Sequence, residues 1–123
     1  MKIEDYEQLS SFLLRVAQET EDAKRPGYTV GSEDVLANFK AVGERINRPA
    51  EEVCMIYFLK HVDSITAMVR RPELPQSEDM TGRFADAMNY IKLLYALLKE
   101  REYDTVMGVD DERSTTDELR SNE

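Results

Sequence analysis

Apolar residues return every three or four positions through most of this chain, which is the spacing of amphipathic helices. Residues 3–22 carry the first such stripe, and residues 33–46 carry the second. Between them, the stretch 24–31 contains Pro-Gly and a further glycine, so the pattern predicts a loop there. Ser32 stands where an N-cap would open the second helix, and Asn47 suits its last turn.

Two longer apolar patterns follow, over residues 49–70 and 78–101, and both predict helices. The first of them is apolar nearly all round from Val53 to Leu59, which predicts a central helix that neighbours cover on several sides. No segment alternates apolar and polar residues as convincingly as a strand would. We therefore predict an all-α fold, a four-helix domain with long third and fourth helices.

Composition changes this picture mainly at the C-terminus. The chain of 123 residues has a formal charge of −9, and from Glu102 onward eight acids stand against two arginines. Few apolar side chains accompany them, so burial there cannot offset the entropy of ordering the chain. The sequence predicts a helical domain over residues 1–103 and a disordered, acidic, flexible tail over residues 104–123.

Charge and hydropathy also limit the partners. An acidic chain is a poor ligand for duplex nucleic acid, since phosphate binding needs an excess of lysine and arginine on some face. No stretch approaches the roughly 18 uncharged apolar residues of a membrane span, and the acidic N-terminus does not resemble a signal peptide. The single cysteine, Cys54, lies in an apolar run and cannot form an internal disulfide. A cytoplasmic protein without a membrane partner is the expectation.

A line of polar residues runs through the otherwise apolar fourth helix. Arg83, Asp86, Asn89 and Tyr90 recur at steps of three and four, so a helix places them on one stripe. Such a stripe is either a ligand site or an internal polar clasp, and the sequence leaves both open.

Two further clusters could complete a ligand site with this stripe. Lys60 and Asp63 follow the apolar run of the third helix and could form a polar layer with it; alternatively, Lys60 and Asp86 form an ion pair that fixes helix register. Arg25 and Tyr28 could stack on and bind an anionic nucleotide, although Tyr28 could equally cover the core. His61, the only histidine, is expected at the surface or its boundary.

Signals for catalysis are weak. Acid pairs at the spacing that magnesium needs occur cleanly only on the polar side of the first helix, in Glu4 with Glu7 and Glu19 with Asp22. Neither a phosphate-binding glycine loop nor a hydrolase nucleophile motif is present. We predict no catalytic residues, no metal ligands and no cofactor, with magnesium entering only if the protein proves to be a hydrolase.

Several short motifs carry a family resemblance. The chain resembles a loose family of small helical bacteriophage proteins, some described as nucleotide-modification-associated, over roughly residues 25–98. The motifs concerned are Arg25 with Gly27-Tyr28, Asn38-Phe39, Leu59-Lys60, and Asp86 with Asn89-Tyr90. The chain departs from the family pattern at two places. The family's Asp-Tyr-Gly is reduced here to Gly27-Tyr28, and the arginine that usually follows shortly after the lysine is replaced by Asp63-Ser64. A fainter likeness to all-α nucleotide pyrophosphohydrolases of the MazG type rests on Lys60 to Asp63.

Three hypotheses follow from these residues and the resemblance. The first is a phage-type protein in the host cytoplasm that binds a nucleotide or nucleotide-derived ligand between the third and fourth helices. The second is an acidic interaction protein that inhibits a host or defence system, and the third is a magnesium-dependent nucleotide pyrophosphohydrolase. Because the fourth helix is apolar on two flanks, we also expect a homodimer.

Overall fold

The computed structural model describes residues 1–29 and 31–107 of the chain. Its helices are α1 (Ile3–Thr29), α2 (Ala37–Ile46), α3 (Ala50–Arg70) and α4 (Ser77–Met107). α3 and α4 are antiparallel, since Ser64 contacts Arg83 near one end and Glu51 pairs with Arg101 near the other. α1 packs on α4, and α2 packs on both α3 and α1. The described residues contain no strand, so the all-α, four-helix prediction is confirmed.

The predicted loop over residues 24–31 is wrong for most of its length, because α1 continues through Pro26 to Thr29. Proline removes one backbone donor and Gly27 is a weak helix former. Packing overrides both, since the last turn buries the Tyr28 side chain against Phe39. The chain turns only afterwards, at Gly31, whose φ of +83° is a conformation that glycine adopts without strain.

α2 begins later than predicted, at Ala37, and Ser32 is not its N-cap. The Ser32 hydroxyl instead accepts the Asp34 backbone N–H, and the Asp34 carboxylate accepts the N–H of Leu36 at 2.9 Å. These side chains supply partners to a turn rather than to a helix, which is the alternative that serine and aspartate offer the backbone.

The junction between α2 and α3 matches its prediction. Asn47 ends α2 in the left-handed conformation, with φ of 57°, and Pro49 precedes the first residue of α3. Gly43 has to lack a side chain, because a β-carbon there would lie 2.6 Å from the carbonyl oxygen of Arg48.

The core is an aromatic cluster at the meeting point of all four helices. Tyr28 of α1, Phe39 of α2, Tyr57 of α3 and Tyr90 of α4 form ring pairs with centroids 6.1 to 6.3 Å apart. Such stacked, tilted and edge-on ring pairs add to the stabilisation from burial alone. Around them pack the buried side chains of Leu36, Val53, Cys54, Leu93 and Leu97.

Two predictions about the long helices need correction. α3 is not covered on several sides, since Met55, Ile56 and Leu59 are all exposed. α4 does not stop near residue 101 but continues to Met107, so the predicted boundary at 103–104 falls inside a helix. The remainder of the predicted tail, residues 108–123, lies outside the described residues.

Candidate functional site

A polar cleft of about 420 Å³ opens between α3 and α4. Its volume falls within the range of small-molecule sites, roughly 300 to 1,000 Å³. One wall comes from the middle of α3 and the other from the first three turns of α4. Lining residues are Lys60, His61 and Ser64 of α3, and Glu78, Asp79, Gly82, Arg83 and Asp86 of α4.

Helical spacing brings these side chains together. Lys60 and Ser64 are four residues apart on α3, while Asp79, Arg83 and Asp86 follow one another at steps of four and three on α4. Each set therefore occupies one helix face, and antiparallel packing turns the two faces toward a common space. Gly82 has no heavy atom within 4 Å of where a β-carbon would stand, so the missing side chain leaves the cleft wider.

Asp86 is paired with Lys24 of α1, not with Lys60. The Lys24 ammonium donates a hydrogen bond of 2.8 Å to the Asp86 carboxylate. This partner was missed because residue 24 was predicted to lie in a loop, whereas the helix carries it to α4. The alternative in which Lys60 and Asp86 form an ion pair is therefore wrong.

Lys60 is the cation that the cleft leaves available. Its ammonium lies 5.9 Å from the centre of the Tyr57 ring, a cation–π distance, and the side chain is exposed. Within the described part of the chain, no carboxylate lies in ion-pair distance of this ammonium. Lys60 therefore carries an uncompensated positive charge at the edge of the cleft.

Arg83 spans the cleft. Its Nε donates to the carboxylate of Asp79 at 3.2 Å, and its Nη1 donates to the Ser64 hydroxyl on the opposite wall. The guanidinium is exposed and retains further N–H donors that point to no described partner. Arg83 thus links α3 to α4 while keeping donors for a ligand.

The other half of the α4 stripe does not reach the cleft. Asn89 is only 1% exposed, and its amide donates to the backbone carbonyl of Ala17 at 2.8 Å. Tyr90 belongs to the aromatic core, where burial, with a smaller contribution from the nearby Cys54 thiol, raises the pKa of its hydroxyl. For these two residues the structure favours the internal clasp over the ligand site.

The predicted pair of Arg25 and Tyr28 is not formed as a stacking site. Tyr28 is buried, and desolvation raises the pKa of its hydroxyl to about 12. Arg25 lies at the surface and pairs within α1 with Asp22 and Glu21. Asp63 is exposed on α3 and does not line the cleft.

His61 joins the cleft to the core. Its ring lies 4.7 Å from that of Tyr90 and is half-buried, as expected for a boundary residue. Burial lowers the pKa of this histidine, although the carboxylate of Asp86 acts in the opposite direction. His61 was not predicted as a site residue, because the helical spacing turns it away from Lys60.

The charges of the cleft are balanced. Lys60, Arg83 and the nearby Lys24 oppose Glu78, Asp79 and Asp86. Over residues 1–29 and 31–107, no group of three or more metal-ligating side chains is placed to hold a metal ion, and no helix is long and apolar enough to cross a membrane. A cleft of this composition suits a small ligand that has both an anionic group and hydrogen-bond donors.

Comparison with known proteins identifies no relative of this chain. Neither a protein-family model, nor a curated protein, nor a solved structure matches the chain. The resemblance to the phage proteins and to the MazG type therefore stays a prediction.

Proposed function

We propose that this chain is a non-hydrolytic binding protein for a nucleotide or nucleotide-derived ligand, held in the cleft between α3 and α4. The observation that carries the proposal is the unpaired ammonium of Lys60 on the same cleft as Arg83 and Ser64. Together they offer charged and neutral donors from both walls to one anionic group.

The two kinds of side chain in the cleft match the two parts of a nucleotide. Ammonium and guanidinium groups bind phosphate through charge-assisted hydrogen bonds, and a hydroxyl adds a further donor. The carboxylates of Glu78 and Asp79, which line the cleft from the first turn of α4, can accept hydrogen bonds from sugar hydroxyls or base amino groups. A bare inorganic anion has no donor for these two carboxylates, and their negative charges would repel it.

Binding without hydrolysis follows from the source of the acids. A magnesium-dependent pyrophosphohydrolase needs carboxylates converging from more than one side, because the hard ion takes several oxygen ligands. In this cleft all three carboxylates come from α4, while α3 contributes Lys60, His61 and Ser64. One of the three, Asp86, is already neutralised by Lys24.

A thermal-shift and calorimetry series tests the proposal. The ligands are nucleoside mono-, di- and triphosphates and cyclic nucleotides, each with and without magnesium. We expect at least one to stabilise the native chain, and Lys60→Met to weaken that binding by about tenfold or more, as loss of a charged hydrogen bond does. Lys99→Met, on the far part of α4, is the matched control and should bind normally. Absence of binding by the native chain, or equal binding by Lys60→Met, would overturn the proposal.

A second candidate is an acidic interaction protein that acts on a host protein, favoured by the first half of α1. There Ile3, Tyr6 and Leu9 are exposed beside Glu4 and Glu7, so the helix presents apolar and acidic surface together. Photo-crosslinking in cells from position 6, with the exposed position 19 as control, tests it. A discrete crosslinked protein at position 6 alone would favour this candidate, and identical patterns at both positions would count against it.

A further inference from the structure

Two uncharged, mostly apolar and mostly exposed stripes run along α3 and α4 with the same spacing. On α3 the stripe is Met55, Leu59, Val62, Thr66 and Val69. On α4 it is Phe84, Met88, Ile91, Tyr95 and Leu98. Both advance by four, three, four and three residues, the a/d spacing of helices that pack along a seam with another helix. We call these ten residues the α3–α4 face.

The two stripes lie on one side of the molecule. With 100° per residue, each stripe is centred roughly half a turn around its helix from the residues that line the polar cleft. Because Lys60 and Ser64 of α3 and Arg83 and Asp86 of α4 share the cleft, the positions opposite them share the other side. The α3–α4 face is therefore the back of the cleft.

This face is unusual for a solvent-exposed surface. None of its ten positions is charged, in a chain where 33% of residues are. Ile91 is 54% exposed, Tyr95 65% and Val69 77%, and the other exposed members are Met55, Leu59, Phe84 and Leu98. A monomer rarely leaves so continuous an apolar surface in water.

The area of the face fits a dimer. Taking a large side chain as roughly 150 to 200 Å², the exposed fractions of these seven residues amount to about 600 Å² of apolar surface. A standard interface buries about 800 Å² on each partner, of which somewhat more than half is apolar. The face alone therefore supplies the apolar area that one side of a stable dimer requires.

We propose that a second copy of the chain covers this face, giving a two-fold dimer in which α3 and α4 of both copies form a four-helix seam. α3 and α4 are antiparallel, so a two-fold axis in the plane of the face, along or across the helices, makes every contact between copies antiparallel as well. The stripe residues of one copy then contact stripe residues of the other copy that recur at the same spacing. The cleft stays open on the opposite side, which makes this proposal independent of the ligand.

Charge favours a second copy over a foreign partner. Two copies that each carry −9 repel one another, so self-association requires a surface from which charge is missing. A partner selected by electrostatic attraction would instead contact the acids, and these lie outside the face. The α3–α4 face is uncharged and has the spacing of a helix seam, so two copies of this strongly acidic chain can associate through it without bringing like charges together.

Sedimentation equilibrium of the full chain and two charge variants tests the dimer. We expect the native chain to sediment as a dimer at about 100 µM, where a stable dimer is populated, and Ile91→Glu to sediment as a monomer. Ile56→Glu is the matched control, since Ile56 is equally exposed, at 56%, but lies off the stripe of α3; it should remain dimeric. Circular dichroism checks that each variant is folded.

Three outcomes would overturn the proposal. The first is a native chain that is monomeric at every concentration, which needs no variant and therefore holds even if Ile91→Glu does not fold. The second is a folded Ile91→Glu that stays dimeric, which would place the interface elsewhere. The third is dissociation by Ile56→Glu as readily as by Ile91→Glu.

Discussion

The two halves of the α4 polar stripe differ in their surroundings, although the same helical spacing places both on one side of α4. The first half is Arg83 and Asp86, and the second half is Asn89 and Tyr90. Arg83 and Asp86 reach an open cleft, where they meet side chains of α3 and α1. Asn89 and Tyr90, one turn further on, are enclosed by the body of the domain. Spacing along a helix therefore identifies which residues share a side, but the elements that cover each turn decide whether a polar group can meet a ligand.

The buried half also shows how α1 is held. The Asn89 amide bonds to Ala17 in the middle of α1, and Glu21 one turn later pairs with Lys92. The side-chain oxygen of Asn89, Oδ1, has no partner among the described protein groups, so the bond from the side-chain amide to Ala17 has to compensate part of the desolvation of Asn89. Such a contact fixes the register of two helices that otherwise meet through apolar side chains.

The largest effect that would test this comparison is expected from Asn89→Ala. The change removes the side-chain hydrogen bond to the Ala17 carbonyl and opens a cavity, which together cost about 3 kcal/mol in the free energy of unfolding. For a domain of this size the melting temperature should fall by roughly 10 °C or more. Gln8→Ala, on the exposed side of α1, is the control and should melt normally. An unchanged melting temperature for Asn89→Ala would remove the distinction between the two halves.

Alkaline pH should act next, and on the core that surrounds the buried half. Desolvation raises the pKa of the Cys54 thiol to about 11 and that of Tyr28 to about 12, above their ordinary values of 9.0 and 10.0. A raised folded-state pKa means that stability is complete below the unfolded pKa and is lost as pH rises toward the folded one. Denaturation should therefore become easier above about pH 9, by about 2 to 3 kcal/mol near pH 10.5.

Replacing the thiol sharpens this test. In Cys54→Ala the stability should start to fall only near pH 10, where the buried hydroxyls of Tyr28 and Tyr90 contribute, as measured by urea unfolding across the pH range. If the native chain and this variant lose stability over the same pH interval, the thiol is not desolvated as its complete burial implies.

The smallest effects are expected in the cleft, from a double-mutant cycle on Lys24 and Asp86. The pair is partly exposed, with the Lys24 side chain 47% and the Asp86 side chain 23% accessible, so solvent screens it. We expect a coupling of about 0.5 to 1 kcal/mol for Lys24→Met with Asp86→Asn. The same cycle on Lys60 and Asp86 should give almost none. A larger coupling for Lys60 would mean that the second pairing prevails in solution.

Much of the fold was predictable because amphipathic spacing dominates it. Both ends of α3 were placed within one residue, since Pro49 and Pro72 bracket a continuous apolar pattern. The errors came where packing overrides local preference. Pro26-Gly27 reads as a break, yet the burial of Tyr28 in the core holds the last turn of α1 together. Ser32 and Asp34 carry a cap signature but serve a turn.

The site was predicted in part, for a related reason. Lys60, Arg83 and Asp86 were identified because helical spacing alone assigns them to facing surfaces. Lys24 was missed, since its role depends on how far α1 extends. Asn89 and Tyr28, which are buried, and Tyr90, which is partly buried, were assigned to the site because a sequence does not show which turn of a stripe a neighbouring helix will cover.

Amide chemical shifts, followed by NMR as a nucleotide is added, test the central claim most directly: the first half of the stripe binds and the second half only holds the fold. We expect the largest shifts at Lys60, Ser64, Gly82 and Arg83, and little change at Ala17 or on the α3–α4 face. Shifts that are absent from the cleft, or that centre on Asn89 and Ala17, would contradict the account.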